Sequence, residues 1–64
     1  MTQKELLYYE DAIGHEGNII KIIDVMLNNL RDSNLISFMT EELSTHKNMK
    51  ERLMNKLEEK NNEW

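Results

Sequence analysis

Apolar residues recur along the first half of the chain at Leu6, Tyr9, Ile13, Ile20, Ile23, Leu27 and Leu30, with Ala12, Ile19 and Met26 beside them. Alternating steps of three and four residues put side chains on one face of an α-helix, so this half is predicted to be one long amphipathic helix. It has a start signal in Thr2-Gln3-Lys4-Glu5, a capping box in which hydroxyl and carboxylate each satisfy a free amide of the first turn. The pattern breaks at Arg31-Asp32-Ser33-Asn34, which are turn-forming and capping residues, and resumes through Leu35, Ile36, Met39, Leu43, Met49, Leu53 and Leu57. The expectation is a helix over about 3–31, a turn over about 32–34 and a helix over about 35–60, with Asp32 or Ser33 capping the second.

Two helices of about 27 residues, each roughly 40 Å long, joined by so short a turn must fold back as an antiparallel hairpin. The fold class is therefore all-α, with residues 1–64 forming one helical-hairpin domain. The predicted core and interface positions are Leu6, Tyr9, Ile13, Ile20, Ile23, Leu27, Leu35, Met39, Leu43, Met49, Leu53 and Leu57. Each stripe is wider than one partner helix can cover, and a 64-residue chain without cysteine buries too little surface to be more than marginally stable alone. A homodimer in which two hairpins close a four-helix bundle is the expected assembly.

Composition narrows the function. No apolar run approaches the roughly 20 residues of a membrane span. A net charge of −4, with basic and acidic residues intermixed, offers nothing to a phosphate backbone, so nucleic acid is not an expected partner. Met1 to Glu5 lack the basic region of a signal peptide, which implies that the chain stays in the cytoplasm where it is made. Lys47, Lys50, Arg52, Lys56 and Lys60 crowd the later turns of the second helix, where they suit the negative end of its dipole.

Polar residues interrupt the stripe at particular places. Glu16 stands three after Ile13 and four before Ile20, which directs its carboxylate into the seam. On the second helix Glu42 and His46 fall on the apolar face and are neighbours at i and i+4. One reading makes Glu16, Glu42 and His46 ligands of a carboxylate-rich metal site for iron, manganese or zinc, completed by two subunits. The other makes Glu16 half of an ion pair and His46 a seam-edge imidazole bonded to Glu42 or to the other helix. If the turn centres near Ser33, residue i faces residue 66 − i, so Glu16 lies level with Lys50 and about 6 Å from the level of His46. On that register Lys50, or a basic residue of the second subunit, is the expected partner of Glu16, and a site within one hairpin is strained. His15, about 100° around the helix from Glu16, is expected on the flank. Tyr8 and Tyr9 are expected to pack between helices, and Trp64 to fray or to fold over the bundle end. No candidate nucleophile, glycine-rich phosphate loop or cleft-forming segment accompanies the histidines, so an enzyme is not expected.

The stretch Thr2-Gln3-Lys4-Glu5-Leu6-Leu7-Tyr8-Tyr9-Glu10-Asp11-Ala12-Ile13-Gly14-His15-Glu16, with the turn at Asp32 and a histidine at position 46, resembles the small coat-F-type spore coat proteins of endospore-forming bacteria. The matching residues are Lys4, Glu5, Leu6, Leu7, Tyr8, Asp11, Ala12, His15, Glu16, Asp32 and His46. The resemblance implies a ferritin-like helical bundle, a structural role in the spore coat, other coat or helical proteins as partners, and an ancestry compatible with retained metal. Beside it stand the metal-binding miniature already described and a regulatory hairpin that docks on a larger helical partner.

Overall fold

The structure, a computed structural model, describes residues 1–61 and consists of two antiparallel helices, α1 (Gln3–Asn29) and α2 (Ser33–Asn61). Trp64 lies outside the described residues. The hairpin is 48 Å long, 15 Å wide and 11 Å thick. No helix among the described residues is long and apolar enough to cross a membrane.

The capping box forms as the sequence predicts. The Glu5 amide donates to Thr2 Oγ1 at 3.1 Å, and the Thr2 amide donates to Glu5 Oε1 at 2.8 Å. That backbone donor, followed by the Thr2 hydroxyl, holds the Glu5 carboxyl below the ordinary glutamate pKa by stabilising its charged form.

The first helix ends two residues earlier than the pattern suggested. Leu30 turns extended (φ −76°, ψ 144°) while its amide still donates to the Met26 carbonyl at 2.8 Å, and Asn29 Nδ2 donates to the Val25 carbonyl at 2.7 Å. Asparagine is a weak helix former because its amide competes for backbone groups, and here it does so at the C-terminal turn. Asp32 Oδ1 then accepts from the amides of Asn34 and Leu35 at 2.9 and 3.0 Å, so Asp32 caps α2 and Ser33 is already helical. The connection is Leu30 to Asp32, not 32–34, and its centre is Arg31.

That displacement sets the register. A turn centred on Arg31 makes residue i roughly level with residue 62 − i, four residues or about 6 Å away from the pairing expected for a turn at Ser33.

The seam is an unbroken alternation of three and four on both helices. On α1 it runs Leu6, Tyr9, Ile13, Glu16, Ile20, Ile23, Leu27, Leu30, and on α2 Ile36, Met39, Leu43, His46, Lys50, Leu53, Leu57, Lys60. This is the heptad spacing of a coiled-coil seam. Two predicted core positions do not join it within the hairpin. Leu35 is 51% exposed and Met49 is 42% exposed, and Ile36, His46 and Lys50 hold the seam instead. Counting four, three and four from Met39 reaches 43, 46 and 50, so Met49 sits one residue, or about 100°, off the line. The Lys50 side chain reaches α1, where its ammonium lies 3.7 Å from where a Cβ on Gly17 would stand.

The core between two helices is thin. Ile23, 4% exposed, is the one buried apolar residue among those described, and no side chain is fully enclosed.

Candidate functional site

Halfway along the seam, Glu16 is 9% exposed and is the one buried charged residue among those described. Its Oε2 lies 2.6 Å from His46 Nδ1. An ionised carboxylate only accepts, so Nδ1–H donates. The other ring nitrogen, Nε2, lies 3.6 Å from Glu42 Oε2, one helical turn earlier on α2. The imidazole therefore stands between two carboxylates, one across the seam and one on its own helix.

Each helix places its group for a plain reason. Glu16 and His46 occupy equivalent seam positions, where the three-four spacing directs both side chains inward. Glu42 is four residues before His46, on the same side of α2. The 62 − i register brings positions 16 and 46 level, which closes the 6 Å gap expected from a turn at Ser33. The partner of Glu16 is thus His46 and not Lys50, and the bond forms within one hairpin without a second subunit. Of the two partners the sequence offered for the His46 imidazole, the other helix supplies the hydrogen bond, while Glu42 at 3.6 Å stands beyond hydrogen-bond distance.

The three candidate metal ligands, Glu16, Glu42 and His46, are neighbours, but the carboxylates lie on different nitrogens of the ring and do not surround a common point. Among the described residues no group of three His, Asp or Glu side chains is arranged to hold a metal ion. His15 is exposed on the flank and takes no part in the cluster; Tyr9 packs in the seam and Tyr8 is exposed. Lys56 lies 3.4 Å from Glu59, an ion pair in solvent worth little.

Beside this cluster, toward the turn, lies a feature that a one-seam reading misses. Ile19, Ile22 and Met26 of α1 and Phe38, Met39 and Glu42 of α2 line one shallow groove whose floor is Ile23 and His46. Its rims are open to solvent: Ile22 is 59% exposed and Phe38 57%, with Leu35 beside them. The signal in the sequence is a second three-four run, Ile19-Ile22-Met26 on α1 and Leu35-Phe38 on α2, flanking the first. In an antiparallel pair these flanks fall on the same side, so both helices contribute to one face.

No family model, curated protein or solved structure is significantly similar to this chain.

Proposed function

We infer that this chain is a small structural and interaction protein that works by self-association of its hairpin, without chemistry at an organic substrate. The observation that carries this reading is the contrast between a core with one buried apolar residue among those described and a face that leaves Ile22, Leu35 and Phe38 more than half exposed. Large contiguous apolar patches on a small protein mark interaction surfaces, and hairpins of this size complete their cores by pairing. The resemblance of the first helix and turn to coat-F-type proteins supports a building block of the spore coat, with other coat proteins as further partners.

Glu16 and His46 fit that role. A buried polar pair in a coiled-coil seam is satisfied only when both members are level, so it penalises slipped registers. The assembly is tested by size-exclusion chromatography with light scattering over a range of concentrations. A mass of two chains, dissociating cooperatively with unfolding, is expected. A helical monomer at every concentration would overturn the reading.

A further inference from the structure

The reading above requires a second copy but leaves its face and orientation open; the side chains beside the seam decide both. We propose that the second copy docks on the face bearing Ile22 and Phe38 by a two-fold axis parallel to the helices, so that both turns lie at the same end of a four-helix bundle.

A two-fold that stacks like faces of two hairpins can run along the helices or across them. Along the helices, the axis keeps each residue at its own level and lays α1 of one copy over α2 of the other, antiparallel, as within the hairpin. The 62 − i register then brings the following flank pairs to within one or two residues, about 3 Å or less, of the same level. Near the turn, Met26 meets Leu35 and Ile22 meets Phe38, apolar on apolar. In the middle, Ala12 meets Met49, small against large. At the far end Glu5 meets Lys56 and Tyr8 meets Arg52, opposite charges and a cation over a ring. The exposed Met49 and Leu35, outside the seam of one hairpin, gain partners in this arrangement.

An axis across the helices lays α1 on α1 and α2 on α2 with the turns at opposite ends. It sets Met26 over Glu5 and Leu35 over Lys56, an apolar half against a charged half. That arrangement leaves the apolar patches half covered by charge, which opposes the pairing.

The face is large enough. Its 48 by 15 Å outline is roughly 700 Å² per copy, close to the about 800 Å² per partner of a standard stable interface.

The chain contains no cysteine, so Arg31→Cys places a single spin label in the exposed turn for pulsed electron-resonance distance measurement. Turns at the same end put the two labels on the order of 10 to 20 Å apart, one or two helix spacings. Turns at opposite ends put them about 48 Å apart, the length of the hairpin. A dimer with the long distance overturns the orientation and leaves self-association standing, whereas a monomer overturns both. The face is checked separately by Phe38→Glu, expected to weaken dimerisation at least tenfold, against Met54→Glu on the other side of the seam, expected to leave it within about threefold. A label distance still short but a dimer indifferent to Phe38→Glu would place the interface elsewhere and sink the assignment of the face. Because the distance is read on a chain whose apolar face is intact, loss of folding in Phe38→Glu does not remove the test.

Discussion

Replacing His46 by leucine isolates what the Glu16 pair contributes. In His46→Leu the Glu16 carboxylate stays at a seam position where its side chain is 12% exposed, and its bond to Nδ1 is gone. Leaving a buried acceptor without its donor costs about 1–3 kcal/mol. The upper part of the 3–5 kcal/mol range seen on breaking a buried ion pair does not apply, because the His46 side chain is 21% exposed and water reaches the seam edge. For a domain this small, 1–3 kcal/mol lowers Tm by roughly 4–24 °C. The double variant Glu16→Leu/His46→Leu removes both polar groups and makes the seam continuous hydrocarbon, so its stability should return to that of the parent or exceed it by about 1 kcal/mol or more. Urea unfolding followed by circular dichroism, at one fixed protein concentration because association shifts the midpoint, supplies the four corners of a double-mutant cycle. A coupling energy of about 1 kcal/mol or more between positions 16 and 46 is expected. Additive effects of the two substitutions, or a His46→Leu variant as stable as the parent, would refute the view that Glu16 is satisfied by His46 across the seam.

Gly14→Ala meets nothing within 4 Å and Gly17→Ala meets only the mobile end of Lys50 at ordinary contact, so each should stabilise α1 by about 0.5–1 kcal/mol; a loss of stability in thermal melts would show a close neighbour at these glycines. Glu5 has its carboxyl pKa lowered by folding, so its contribution is fully present above the pKa of the unfolded chain and is lost as pH falls through the lower folded value. Nuclear magnetic resonance titration of the Glu5 side chain should give a midpoint below the ordinary glutamate value in the parent, and a midpoint at or above that value would contradict the capping box. Zinc, iron(II) or manganese(II) should leave Tm unchanged in the parent and in Glu16→Gln alike, since no group of three His, Asp or Glu side chains among the described residues is arranged around a common point; a rise confined to the parent would restore the metal reading.

The sequence by itself determined the two helices, the capping boundary at Thr2, a cap for the second helix at Asp32 or Ser33, the antiparallel fold-back and the inward position of Glu16. Each depends on spacing within one helix or on contacts two to four residues apart, which local chemistry decides. It did not determine the register. Helix ends read from propensity are uncertain by about two residues, and in a hairpin an error in the turn centre doubles into the pairing. Moving the centre from Ser33 to Arg31 shifted every cross-helix pair by four residues, or about 6 Å, and so exchanged Lys50 for His46 as the partner of Glu16. The same tertiary count left Leu35 and Met49 outside the seam and drew Lys50 into it, because apolar residues at neighbouring positions compete for one line and only the partner helix selects between them. The second apolar face, likewise, is visible along each helix as a flanking run, but that both runs fall on one side of the molecule is a property of the antiparallel pair and of neither helix alone.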